Sequence, residues 1–212
     1  MIKFYNDSGC TEPIRSVLGT LVGDASVADI YCGEEPSQVR RYSASENWGF
    51  LLTPTEHYTY STSSGTIMFI QAPAVGETCV AFSAGDYIFQ GMHAVGNDAD
   101  TANRTLEQRI YLKSENAHAV DLKLVVNNLF EEDELHACTI CPISTKDHFI
   151  ALNSGSAPDT YQAGYTPLDV GDLANDAVTS VWVKAVIPFN TNMDNYHNIY
   201  LSIESENFST HL

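Results

Sequence analysis

The residue types best suited to chemistry cluster in one short stretch, His136-Ala-Cys138-Thr-Ile-Cys141-Pro-Ile-Ser-Thr-Lys-Asp-His148. A Cys-x-x-Cys pair is half of a structural zinc site, and His136 or His148 would supply further ligands. A complete site needs a second pair at compatible spacing, whereas Cys10, Cys32 and Cys79 stand singly in the other half of the chain. A redox role needs the motif to open a helix after a strand within an α/β pattern, and the surrounding sequence has no such pattern. In an extended strand Cys138 and Ile140 face one side while Thr139 and Cys141 face the other, which separates the two thiols. Buried free thiols pack as small apolar side chains. The expectation is therefore no metal and no cofactor.

Other constellations are weaker. The acidic run Glu131-Glu-Asp-Glu134, the loop Asn97-Asp-Ala-Asp100 and the carboxylates from Asp169 to Asp176 supply oxygens. Calcium needs six to eight of these in a defined loop, and after Asp98 and Asp100 no Gly-then-Glu continuation follows. Solvated loops are the expectation. Asn153-Ser154-Gly155-Ser156 only superficially resembles a nucleophile elbow, and no His-Glu-x-x-His, phosphate loop or dinucleotide fingerprint occurs. The chain is expected to be non-enzymatic, with no catalytic residues. The best candidate for a partner-binding face is the aromatic segment around Trp48, Phe50, Tyr58 and Tyr60. Exposed rings of this kind stack on sugars or fill pockets on protein partners.

Composition narrows the partners. The 212 residues carry 27 acidic against 10 basic groups, for a net charge of −17. Such a surface repels phosphate backbones and anionic membranes, so neither nucleic acid nor membrane is expected as a partner. No stretch approaches the length of a signal peptide's apolar region or of a bilayer span, and five cysteines suit a reducing compartment.

The elements that must position these residues are strands. Helical periodicity is nearly absent, and the one stretch able to make a helix, Ala99 to Glu107, has too few apolar residues for a stripe. In the first half, strands are predicted at Ile2–Tyr5, Val27–Cys32, Gln38–Tyr42, Gly49–Leu52, Tyr58–Ser61, Ile67–Gln71, Cys79–Phe82 and Tyr87–Phe89. Ser63–Pro73 followed by Cys79–Phe89 reads as a hairpin with a long loop. The second half alternates more regularly. Ile110 and Leu112, then Val120, Leu122, Leu124 and Val126, then Val181, Val183, Ala185 and Ile187, then Ile199, Leu201 and Ile203 each put apolar residues on one face. Four period-two runs need a shared core, which a two-layer sandwich supplies. Gly171-Asp172 and Asn175-Asp176 are predicted turns, and Pro188 ends the long strand because it lacks an N–H. The chain is thus expected to be all-β with two small domains, 1–100 and 106–206, joined near Gly96–Asp100.

The run from Leu168 to Pro188, Leu-Asp-Val-Gly-Asp-Leu-Ala-Asn-Asp-Ala-Val-Thr-Ser-Val-Trp-Val-Lys-Ala-Val-Ile-Pro, resembles the L-x-x-G-x-L-x-x-G-x-x-x-x-V-W-V-K-x-x-x-P run of immunoglobulin-like modules in tailed-phage virion proteins. Asn195–Ser205 is similar to their final strand, and Arg109–Asn116 to their opening strand. The pattern departs where Asp176 stands in place of the turn glycine and where the 127–148 insert has no counterpart. The resemblance spans roughly 106–206. It implies an immunoglobulin-like β-sandwich and a structural role in a phage virion, as a multi-copy capsid decoration or tail component assembled in the host cytoplasm. Its partners would be other virion proteins and copies of itself. A carbohydrate-binding or adhesin module is the alternative. Elemental analysis of the purified protein is expected to find no stoichiometric zinc, and Cys141→Ser to lower stability modestly without any metal loss.

Overall fold

In the computed structural model the described residues are 2–43, 46–89, 103–129, 143–152, 155–188 and 199–205, with the side chains of 46–48 set aside. They are almost all β. In chain order the strands are β1 (Ile2–Tyr5), β2 (Val17–Val22), β3 (Asp29–Tyr31), β4 (Gln38–Ser43), β5 (Glu46–Leu51), β6 (Tyr58–Ser61), β7 (Thr66–Phe69) and β8 (Thr78–Phe82). There follow β9 (Arg104–Ser114), β10 (Ala119–Asn128), β11 (His148–Leu152), β12 (Gln162–Ala163), β13 (Leu168–Leu173), β14 (Val178–Ile187) and β15 (Ile199–Glu204). A 3₁₀ turn at Thr145–Asp147 is the one helical element among the described residues.

The chain divides into two compact units, Met1–Ile14 with Asp86–Thr210, and Arg15–Gly85. This differs from the expected 1–100 and 106–206, because β1 pairs antiparallel with β9, Ile2 opposite Ser114 and Tyr5 opposite Tyr111. Alternation along β1 buries Ile2 and Phe4. The first strand of the chain therefore completes a sheet made by its second half, and residues 15–85 are an insertion after it. Exit and return are pinned together, with the Asp86 N–H donating to the Pro13 carbonyl at 3.0 Å. The predicted linker at Gly96–Asp100 lies outside the described residues.

The larger unit has a five-stranded sheet in the order β1-β9-β14-β11-β12 and a three-stranded sheet in the order β13-β10-β15. The alternation read from the sequence supplies its core. Ile110 and Leu112 of β9, Val181, Val183, Ala185 and Ile187 of β14, and Ile150 of β11 are all buried. From the other sheet come Leu122, Leu124 and Val126 of β10, Leu168 and Leu173 of β13, and Leu201 and Ile203 of β15. One expectation shifts. The register slips between Ala119 and Leu122, where Asp121 adopts φ +52°, so Ala119 rather than Val120 joins the buried face. Gly171, opposite Leu122 with φ +77°, forms part of this irregularity within β13 and not a turn between strands. Asn175–Asp176 is the turn expected, with Asp176 at φ +59° donating its N–H to the Ser114 carbonyl at 2.7 Å. β14 stops at Ile187, directly before Pro188.

With β1 counted first, the order β1-β9-β14-β11 follows the A-B-E-D order of an immunoglobulin sandwich, and β10-β15 follows its C-F pair. Two features depart from that plan among the described residues. β13 flanks β10 although it follows β11 in the chain, and no strand lies beyond β15.

The 15–85 unit has a four-stranded sheet, β2-β8-β4-β5, and a three-stranded one, β3-β7-β6. Ile30, Tyr58, Ile67 and Phe69 from the second face Val39, Cys79 and Ala81 from the first in one apolar cluster. The expected hairpin of Ser63–Pro73 with Cys79–Phe89 does not form. β7 lies between β3 and β6, while β8, buried along Cys79–Phe82, runs between β2 and β4 in the other sheet. Tyr87–Phe89 is not a strand, and β2 was not anticipated because Val-Leu-Gly-Thr-Leu-Val has no clean alternation.

Burying a large apolar side chain stabilises by about 1.5–3 kcal/mol, so Ile2 and Phe4 make β1 essential to the larger unit. A chain joining 1–14 to 86–206 through a short linker is expected to fold cooperatively. The fragment 106–206 should melt at lower temperature or remain unfolded, as read by amide-proton dispersion.

Candidate functional site

The aromatic segment divides between core and surface. Tyr58 begins β6 with its ring inward, 4% exposed, in the cluster with Ile67 and Phe69. Burial pushes its hydroxyl pKa up. Tyr60, two residues on and so on the same strand face, packs partly buried against that cluster. Neither ring is positioned as an open platform. The Trp48 side chain lies outside the described residues. Phe50 is the member that reaches the surface, 45% exposed on edge strand β5.

Phe50 is held by neighbours of two kinds. The Arg41 guanidinium lies 5.5 Å from its ring centroid, and the His57 ring meets it edge-on at 6.0 Å and 71°. The turn before β6 orients His57, since the Thr53 N–H donates to Nδ1 at 3.0 Å and the His57 N–H donates to the Thr53 carbonyl at 3.0 Å. Nδ1 is thus an acceptor, and Nε2 carries the proton in the neutral ring. Arg41 also meets Glu77, Nε to Oε1 at 3.4 Å, while Glu77 Oε2 accepts the Ala74 N–H at 2.8 Å. Gly49, the residue before Phe50, lets the β5 backbone close over the Tyr42 ring. Its φ is +71°, and a Cβ there would fall 2.6 Å from Cε1 of the buried Tyr42 ring.

A cleft of about 280 Å³ opens beside this cluster, with Arg41, Glu56, His57 and Glu77 around Leu52, Phe69 and Cys79. Two buried thiols lie in or near its walls. Cys79 is fully buried and its thiol is pushed up to about 12 by burial, and Cys32 likewise rises to about 11. Neither thiol is a thiolate near neutral pH, and the basic nitrogen of His57 already accepts a hydrogen bond.

Several exposed apolar residues of the unit lie on or beside the outer face of β3-β7-β6. Asp29 stands opposite Met68 and Tyr31 opposite Thr66, while Ile30 and Ile67 point inward. Val27 and Ile70 continue the same outward parity. Tyr31 is 73% exposed, Ile70 61%, Met68 48% and Val27 41%. Of the twelve exposed large hydrophobics among the described residues, eight fall within 15–85 (Val22, Val27, Tyr31, Phe50, Leu51, Met68, Ile70 and Val75), so this unit carries most of that surface.

The remaining sequence candidates fall into two groups. His136, Cys138, Cys141, Asp98, Asp100 and the Glu131–Glu134 run lie outside the described residues. His148 is buried, and its Nδ1–H donates to the Ser144 carbonyl at 2.9 Å. Asp169 and Asp172 accept the backbone N–H groups of Gly171 and Asp121. Sequence reading missed Arg41 and His57 as companions of Phe50, because the turn and the β4–β5 register that bring them together are not local. It also missed Tyr31, Met68 and Ile70, although apolar residues at both parities of Ile67–Ile70 signal a strand with two apolar faces.

No family model and no curated protein matches the chain. Gly49→Ala is expected to destabilise the 15–85 unit by about 1–3 kcal/mol, the usual range for a strained backbone position, and differential scanning calorimetry would read it.

Proposed function

We propose that this chain is a non-enzymatic structural protein of a tailed-phage virion, a multi-copy capsid decoration or tail component that attaches through its 15–85 unit. The observation that carries this reading is the outer face of β3-β7-β6, where Val27, Tyr31, Met68 and Ile70 stand exposed on one sheet face. Large exposed apolar surface marks interaction sites on soluble proteins. The face has few charges, so like-charged copies at −17 each can approach there. Repeated identical contacts let a modest area per copy suffice. The likeness of the 168–188 run to virion immunoglobulin-like modules supports the same reading, as does a strand order that follows A-B-E-D and C-F in part.

A carbohydrate-binding module is the second reading. Phe50, backed by Arg41 and His57 beside the cleft, favours it, whereas the inward rings of Tyr58 and Tyr60 weaken the platform that reading assumed.

In sedimentation velocity the protein is expected to form a concentration-dependent oligomer or to co-sediment with its particle, and Ile70→Asp with Met68→Asp to abolish that association while the chain stays folded. A monomer at every concentration that never co-purifies with a particle would overturn the structural reading in favour of the carbohydrate one.

A further inference from the structure

The outer face of the five-stranded sheet has an unusual composition for so acidic a chain. Ile2 and Phe4, Ile110 and Leu112, and Val181, Val183 and Ala185 point inward. Their alternating neighbours take the other face, half-buried against one another: Lys3 on β1, then Arg109, Tyr111 and Lys113 on β9, and Trp182 and Lys184 on β14, with Tyr5 and Ser180 of the same parity buried among them. Four of the ten basic residues of the chain share this one face, interleaved with aromatic rings. The register sets them in rows, with Trp182 opposite Arg109, Ser180 opposite Tyr111, and Lys3 opposite Lys113.

The cations are held in place. The Arg109 guanidinium sits 5.0 Å from the Tyr111 centroid and donates from Nη2 to the Ser180 hydroxyl at 3.1 Å. At one end Lys184 lies between Phe149 and Tyr161, 5.3 and 4.2 Å from their centroids, and the Tyr161 hydroxyl donates to Glu107. That end is internally satisfied. The other end contains a conflict, because two lysines directly opposite across an antiparallel pair destabilise it. Glu115 answers both lysines: it accepts a hydrogen bond from the Tyr5 hydroxyl at 2.6 Å, lies 3.5 Å from the Lys3 ammonium, and has its carboxyl held low by that bond and by the charges of Lys3 and Lys113.

We propose that the Lys3, Arg109, Tyr111, Lys113 and Trp182 face of this sheet binds a carboxylate-bearing polysaccharide, with sugar rings on the aromatic side chains and carboxylates against the cations. Charge complementarity selects the ligand class. Rings alternating with cations suit a chain whose own rings alternate with charges. The net charge of −17 opposes every extended polyanion, nucleic acid included, so contact with an acidic chain is confined to this one face. The site is on the larger unit and does not rest on attachment through 15–85.

The test uses the full-length protein with oligogalacturonate and polysialate, two sources of the same chemistry, and with methyl-esterified galacturonan and oligo(dT) as comparators, in affinity electrophoresis and calorimetry. Binding to at least one acidic glycan is expected, weakening with salt and absent for the esterified polymer. Arg109→Gln, Lys113→Gln and Tyr111→Ala should each weaken it about tenfold or more, since one charge-assisted contact is worth about that factor. Lys123→Gln, on the other sheet, should not. Lys113→Gln keeps the length and polarity of a half-buried side chain, so its melting temperature should hold while binding falls, which separates loss of the ligand contact from loss of the fold. Ile70→Asp should leave glycan binding unchanged, separating this result from the fate of the oligomer. The inference is overturned if neither acidic glycan binds, if oligo(dT) binds as tightly, or if the face variants bind as the parent does.

Discussion

β14 pairs with β9 along its whole length, from Val178 opposite Lys113 to Ile187 opposite Arg104. Everything else in the larger unit is arranged around that register. The side-chain period of a strand is two, so a slip of one residue would turn Ile110, Leu112, Val181, Val183 and Ala185 outward together. It would also bury Arg109, Lys113 and Lys184 in an apolar core without partners, at a cost of several kcal/mol for each charge. The hydrophobic face and the cationic face thus enforce the same register from opposite sides. β11 then adds to the free side of β14, with Ile150 opposite Val183, and β1 to the free side of β9.

The β1 strand changes what the two halves of the chain mean. Four residues at the start complete a sheet otherwise built from residues beyond 100, so the 15–85 unit is inserted in chain order and tethered at both ends. The contact between Pro13 and Asp86 closes the neck of this insertion, and within the inserted unit the Ser83 N–H donates to the Ser16 carbonyl at 2.9 Å.

The two units differ in how they meet water. The larger one surrounds an alternating core with polar, charged and aromatic residues that contact one another, as in the Lys184, Phe149 and Tyr161 stack. The inserted one leaves Tyr31, Met68 and Ile70 uncovered over a small core that includes two buried thiols. Its sheets are short, three to six residues per strand, and a small domain has little volume in which to hide apolar residues at both strand parities.

The sequence by itself determined that the chain is all-β, and in the second half, apart from Val120 at the β10 bulge, it determined which residues face inward, because one parity is apolar and the other polar over four successive runs. It also determined the turn at Asn175–Asp176 and the end of β14 at Pro188, since positive φ and a missing N–H are properties of single residues. The bulge opposite Gly171 was less legible, because a glycine with φ above zero serves a turn and an in-strand irregularity equally well. Only the tertiary structure decided that β1 belongs with β9, that β7 and β8 lie in different sheets, and that Tyr58 is core while Phe50 is surface. Strand pairing joins segments more than a hundred residues apart, and no local period encodes the partner. In the first half, apolar residues occur at both parities, so which face is buried follows from what packs against it. The joining of Arg41, Phe50 and His57, like the interleaving of Lys3 with Lys113, arises from register between strands and not from any spacing within one.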